Sequence, residues 1–258
     1  SIRHTLLLEE SPVNWSWPYF FEYLTNGLML RGAWTTVWLS VVSMVIGLGL
    51  GVVAAMFKMY GNVVLRAVAE FYIWLFRGTP ILIQLVIIYT GLPQIGIRLT
   101  VIESAIIGLA LNEGAYLAEI IRAGIMSVDK GQDDAARSVG MKWRQRMYYV
   151  ILPQATRTII PPLGNQFNGM LKTTSLASVI SMEELMRSAQ MLAQIHFRVL
   201  EVYSVAAIWY LILVTIWSLI QVRIERHYEK PFGPAAAISP EAEKELKRAL
   251  REAGVAKV

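Results

Sequence analysis

The chain has 258 residues, of which 55% are hydrophobic and only 17% charged, with a mean hydropathy of +0.46; soluble domains carry nearer a quarter charged residues, so a membrane protein is expected. The absence of cysteine excludes disulfide scaffolds, thiol catalysis and cysteine metal sites, and the scattered His4, His196 and His227 read as interfacial residues rather than a metal cluster. The net charge of +5 gathers beside apolar stretches, which fits orientation in a bilayer and not a nucleic-acid face.

Residues 1–24 form an N-terminal segment rich in aromatics, with Trp15, Trp17, Tyr19, Phe20, Phe21 and Tyr23 clustered before the first long apolar run. Such rings favour the headgroup region or pack against neighbouring helices, and both readings stand here. The segment lacks the basic region and short apolar core of a secretory signal. A first span follows from Ala33 to Phe57, free of charge and carrying Gly47, Gly49 and Gly51, small residues that let helices approach closely.

The second span, from about Val68 to Leu92, is interrupted by Arg77-Gly78-Thr79-Pro80. A guanidinium and a proline at membrane depth need protein or a watered cavity around them. Arg77 is a candidate to clamp a carboxylate, or else a structural arginine that satisfies broken-helix carbonyls or a buried glutamate. The third span, Val101 to Ile125, carries Glu113, Glu119 and Arg122. Glu119 and Arg122 are spaced to pair on one helix face. Glu113 lies deeper and must face a partner or a cavity, as ligand to a substrate amine or in an ion pair with Arg77 or Lys172.

Between spans three and four lies a short, strongly basic loop with Lys130, Arg137, Lys142, Arg144 and Arg146, cytoplasmic by the positive-inside rule. The fourth span, about Val150 to Ile180, contains Pro153, Pro161, Pro162, Asn165, Gln166, Asn168 and the run Lys172-Thr173-Thr174-Ser175. So many amides and hydroxyls at membrane depth predict a cavity-lining helix. Residues 181–202 make a polar connection whose methionines read as packing rather than metal ligands, and Tyr203 to Val222 is an uncharged fifth span. Residues 229–258 form a linker and a charged helical tail, with Glu243 and Lys247 at i,i+4. The distribution of Lys and Arg places the N-terminus outside and the C-terminus in the cytoplasm. The fold class expected is an all-α integral membrane protein with five transmembrane helices, and no internal repeat is seen.

The basic loop carries a fixed pattern. From Asp134 to Pro153 the sequence reads DAARSVGMKWRQRMYYVILP. It resembles the EAA loop of ABC-importer permease subunits: Glu-Ala-Ala, three residues, Gly, nine residues, then Ile-x-Leu-Pro. Asp134, Ala135, Ala136, Gly140, Val150, Leu152 and Pro153 fall in register, with Asp for Glu and Val for Ile. FRGTP at 76–80, GAYLAEIIRAGI at 114–125, LPQATRTIIPPLGNQF at 152–167 and LKTTSL at 171–176 extend the resemblance to the polar amino acid importer permeases, the histidine, glutamine, arginine and glutamate uptake type. It covers residues 25–228 as a permease domain with its EAA coupling segment at 131–153.

The resemblance implies a type I ABC importer fold in the bacterial inner membrane. It implies two cytoplasmic ATP-binding cassette ATPase subunits, a second permease subunit, identical or paralogous, and a periplasmic or lipid-anchored amino acid binding protein. ATP and Mg would sit on the ATPase and no cofactor on this chain, which has no Walker-type Gly-Lys-Ser/Thr loop. Asp134, Ala135, Ala136, Arg137, Gly140, Trp143, Leu152 and Pro153 would form the coupling surface. Pro153 is expected to open the fourth span, and basic residues of the loop meet acidic ATPase residues or anionic lipid. For cargo, Arg77 is assigned the α-carboxylate and Glu113 an amine, with Asn165, Lys172, Thr174 and Ser175 adding polar contacts. Relatives often show Lys-Asp-Thr-Ser where this chain has Lys172-Thr173-Thr174-Ser175, which counts against a strictly cationic substrate. An ion-coupled carrier or channel is the alternative class, and a membrane enzyme using Glu113 and Glu119 finds no nucleophile or metal set beside it.

Overall fold

A computed structural model describes residues 15–228, and every regular element among them is helical. A short α1 (Trp17–Leu24) leads into α2 (Gly27–Tyr60), which is capped by the Asn26 side chain accepting from Leu28 N at 2.8 Å. At 34 residues α2 runs about 50 Å, well beyond the apolar thickness of a bilayer, and it takes in Arg31 at its start. Asn62 then caps α3 (Val63–Gly78).

The expected interruption of the second span is a sharp corner. Gly78, Thr79 and Pro80 end α3, and the continuation, α4 (Ile81–Val86) with a π-turn (Ile87–Gly91) and a 3-10 turn (Leu92–Ile95), departs at 105°. Proline removes a backbone donor and biases the residue before it away from the helical region, so the break falls where the sequence places it. A capping box of Thr100 and Glu103 starts α5 (Val101–Met126), within a residue of the expected third span.

Two short helices follow, α6 (Lys130–Ser138) and α7 (Trp143–Arg146), and a π-turn (Met147–Ile151) joins α7 to α8 (Leu152–Thr173). Pro153 stands in the first turn of α8, as expected of the residue at the entry to the fourth span, although the helical rod does not begin there. It lies ten residues inside a helical rod that starts at Trp143, just after a wide turn that tolerates its missing N–H. A 3-10 stretch (Thr174–Ile180) ends the rod, and α9 (Leu185–His196) and α10 (Val199–Tyr228) complete the described chain. The linker after residue 228, the tail helix and His4 lie outside the described residues.

Among the described residues three helices, α2, α5 and α10, are long and apolar enough to span a membrane, and counting the bent α3–α4 pair as one span makes four. The polar fourth span falls short by composition. The most buried span is α5, and it packs along α2 through glycines: a Cβ on Gly51 would come within 2.8 Å of Leu117 Cβ, and one on Gly114 within 2.9 Å of Leu50 Cβ. Apolar clusters stack along this axis, from Met29, Leu185 and Val202 at the α9 end, through Leu39, Leu85, Leu109 and Met170, to Ala55, Ile121 and Ala155 at the α6 end. The outward faces of α3 and α10 are apolar and exposed, with Trp74 and Leu211 each about two-thirds accessible, as lipid- or protein-facing surfaces require.

Candidate functional site

The coupling segment is built first by local rules. Asp129 caps α6 by accepting from Gly131 N at 2.7 Å, and α6 ends in Gly140, whose φ of +80° is left-handed backbone that glycine supplies without strain. Gln145 then reaches back to accept from Lys142 N at 2.8 Å, starting α7. Asp133 holds the two helices across the turn: its carboxylate pairs with Arg137 of α6 at 2.8 Å and lies 2.8 Å from Arg146 Nε of α7, a close ion pair though poorly aligned for a hydrogen bond.

Of the residues assigned to coupling, Ala136 is buried and packs the segment down, while Asp134, Ala135, Arg137, Gly140 and Trp143 are exposed. Leu152 and Pro153 are half-buried at the start of α8. Tyr60 at the end of α2 meets the Trp143 ring edge-to-face at 5.4 Å, so the segment is also tied to the α2–α3 corner. Sequence reasoning passed over Tyr148 and Tyr149, which are about two-thirds exposed and line a groove of about 430 Å³ with Trp143, Arg144 and Leu152. Two adjacent tyrosines inside a basic loop were the signal available.

The polar residues of the spans divide into groups that do not converge. Glu113 is buried and accepts from Gln166 Nε2 at 3.1 Å; neither Arg77 nor Lys172 lies within ion-pair distance of it. Arg77 is exposed and stacks over the Tyr116 ring at 5.3 Å to the centroid. Nor does Arg77 satisfy the broken-helix carbonyls. Gln84 and Asn112 do, both buried and both missed from the sequence: Gln84 Nε2 donates to Phe76 O and Thr79 O, and Asn112 Nδ2 to Phe76 O. An amide inside an otherwise apolar run was the legible sign of each.

The fourth span spends most of its polar groups on its own neighbours. Asn165 accepts from Gln221 of α10 at 3.2 Å, Asn168 donates to Ser218 at 3.2 Å, and Trp217 donates to Gly164 O at 2.8 Å. These are interhelical ties of the kind that hold membrane helices together, and they turn Asn165 and Asn168 toward α10, with Asn165 still exposed. The Thr173, Thr174 and Ser175 hydroxyls donate to carbonyls one turn back, and Thr174 is fully buried. Lys172 and Ser175 open on a mainly apolar groove of about 540 Å³ beside Tyr210, Leu211 and Val214.

The pairing expected of Glu119 is present and enlarged, with Arg122 at 2.9 Å and Lys58 at 2.7 Å joining α5 to α2. At the other end of the bundle, buried Glu184 accepts from Met186 N, Arg187 N and the Tyr210 hydroxyl. Burial pushes its carboxyl above the ordinary range, and these donors pull part of the way back. Among the described residues no group of histidines and acids is placed to hold a metal.

Comparison with known proteins fits this geometry. Residues 47–230 match the family described as binding-protein-dependent transport system inner membrane component. The chain is 40% identical over 230 residues to the arginine transport system permease protein ArgU of Corynebacterium glutamicum, covering 84% of this chain and 73% of that one. It is 38% identical over 201 residues to the glutamine transport system permease protein GlnP of Escherichia coli K12, covering 77% and 92%. A match of 41% over 204 residues links it to the L-cystine transport system permease protein TcyB of Bacillus subtilis, covering 79% and 87%. Its fold superposes on a chain from the crystal structure of an amino acid ABC transporter with histidines, at a TM-score of 0.78 and 38% identity over 83% of this chain and 99% of that one. A chain of the inward-facing MetNI methionine ABC transporter shares the fold at a TM-score of 0.67 and 20% identity, over 84% and 100%. The all-helical architecture is that of type I ABC importer permeases. The chain therefore belongs to the inner-membrane components of binding-protein-dependent transport systems, as a permease of the amino acid ABC transporter type.

Proposed function

We propose that this chain is the permease through which an ATP-driven importer moves polar amino acids into the bacterial cytoplasm by alternating access. The observation that carries the reading is the EAA register at 134–153, held as two short helices around Gly140 and continuous with the polar α8 rod. A push on α6 and α7 is transmitted to a span only if the segment is stiff, and the Asp133 bridge together with the unbroken helix from Trp143 supplies that stiffness. In this reading the α6 end faces the cytoplasm, with the N-terminus outside and the C-terminus inside, as the basic loop favours. Two ATPase subunits dock on α6, α7 and the exposed Trp143, Tyr148 and Tyr149, and they carry ATP and Mg. A second permease, identical or paralogous, and a periplasmic or lipid-anchored binding protein complete the machine.

Arg77 and Glu113 are the proposed charged contacts of the cargo, the guanidinium for a carboxylate and the glutamate, oriented by Gln166, for an amine. Opposed charges offset the desolvation of a zwitterion while leaving binding weak enough for release. Lys172 and Ser175 add polar contacts at a separate, mainly apolar groove beside α10, and Asn165 and Thr174 act as framework within α8 and the turn that follows it. The test is Gly140→Asp, which should abolish ATP-dependent uptake in reconstituted vesicles while the protein remains in the membrane. Normal transport by that variant, or uptake that follows an ion gradient without ATP, would defeat the coupling assignment.

A further inference from the structure

The corner in the second span has an internal brace. Ending α3 at Gly78 frees carbonyls at Phe76 and Thr79 where bilayer interior offers no water to satisfy them. Gln84, one turn into α4, donates through Nε2 to Phe76 O at 3.0 Å, Thr79 O at 3.0 Å and Thr79 Oγ1 at 2.8 Å. Asn112 of α5 donates through Nδ2 to the same Phe76 O at 2.9 Å and to Gln84 Oε1 at 3.1 Å. Both amides are buried, and the five contacts pin three helices to one carbonyl-rich corner.

The register of this brace is specific. Phe76 immediately precedes Arg77, and Asn112 immediately precedes Glu113. One turn earlier on α3, the Tyr72 hydroxyl donates to Leu111 O at 2.7 Å and repeats the tie. Two bonds between α3 and α5 therefore fix the separation of the two charged groups, although the charges themselves do not touch. Glycine and an unpartnered break would otherwise leave the Arg77 backbone free to swing.

We propose that Gln84 and Asn112 are positioning residues for cargo recognition, locking the broken span to α5 in the register that sets the Arg77 guanidinium relative to the Glu113 carboxylate. The proposal rests on reading Arg77 and Glu113 as cargo contacts. It adds that recognition depends on two uncharged amides that need not touch the cargo, and that they act through Arg77.

The test is a double-mutant cycle in cells whose own copy of the protein has been deleted, reading uptake of radiolabelled L-glutamine, L-arginine and L-cystine. Asn112→Ala leaves a buried carbonyl short of a donor and lets the corner relax; for whichever amino acid is taken up, KM should rise about tenfold with a smaller change in maximal rate. Gln84→Ala should do the same, and it serves where Asn112→Ala fails to reach the membrane. In an Arg77→Ala background, either substitution should change KM less than about twofold, because the group being positioned is gone. The same fold-change in both backgrounds would overturn the positioning role and leave only a structural clasp. If Arg77→Ala alone leaves KM unchanged, the parent assignment of Arg77 fails and this proposal fails with it. An unchanged KM in Asn112→Ala and Gln84→Ala, with Arg77→Ala impaired, would defeat the proposal alone.

Discussion

Replacing Gly51 by alanine probes the packing that places Glu113 in the bundle. A Cβ at Gly51 would stand 2.8 Å from Leu117 Cβ and 3.1 Å from both Ala118 N and Gly114 O, close against the α5 backbone. On the same face, a Cβ at Gly47 would meet Glu113 Cβ and Ala110 O at 3.2 Å each. Gly49 lies between them on α2 with nothing within 4 Å of its added Cβ, and so provides an internal control. Both substitutions gain the same helix preference, about 1 kcal/mol for glycine to alanine. Only Gly51→Ala also forces two packed helices apart, an overpacking cost of about 1–3 kcal/mol. For a protein of this size each kcal/mol moves the melting point by about 2–4 °C. Melting followed by size exclusion in detergent should place Gly49→Ala at or above the parent and Gly51→Ala several degrees below Gly49→Ala. Equal shifts for the two variants would refute the close α2–α5 crossing and, with it, the placement of Glu113 against α2.

Glu113→Gln should lower uptake while the ATPase still co-purifies; full transport by that variant would remove Glu113 from the cargo site. Asp133→Asn should weaken the tie between α6 and α7, so ATP hydrolysis by the assembled transporter persists while uptake per ATP falls, and unchanged stoichiometry would show that the bridge is dispensable. Glu184→Ala removes the α9 cap and the Tyr210 partner together, and a cap alone is worth about 0.5–2 kcal/mol. A thermal shift in detergent below the detection limit would show that Glu184 holds nothing.

The elements that could be read from the sequence were those governed by neighbours in the chain. The third span begins at Val101 because Thr100 and Glu103 cap each other, and the second breaks at Gly78-Thr79-Pro80 because proline cannot continue the hydrogen-bond ladder. The EAA register held its form because Gly140 supplies the left-handed turn between two short helices. Pro153 takes its expected place in the first turn of α8, but a π-turn carries the helix on from Trp143 ahead of it, and no residue type marks such a turn in advance.

The candidate site was less legible because amides and hydroxyls look alike in sequence whether they line a cavity or tie two helices. Asn165 and Asn168 tie α8 to α10, whereas Gln166, next to Asn165 on another face of the same helix, reaches Glu113. Gln84 and Asn112 are separated by 28 positions in the chain and share a purpose only once α3 bends over α5.

The sequence alone therefore determined what kind of machine this is: apolar spans, a basic loop of fixed spacing, and charged residues too costly to leave in lipid. Those signals depend on composition and on distances along the chain, which folding does not change. Tertiary structure decided which polar group meets which, since that depends on helix rotation and crossing, set here by the glycine contacts of α2 with α5 and the buried amides at the corner of the second span. It left Arg77 and Glu113 unpaired but in a fixed register, a relation that neither residue's neighbours in sequence could reveal.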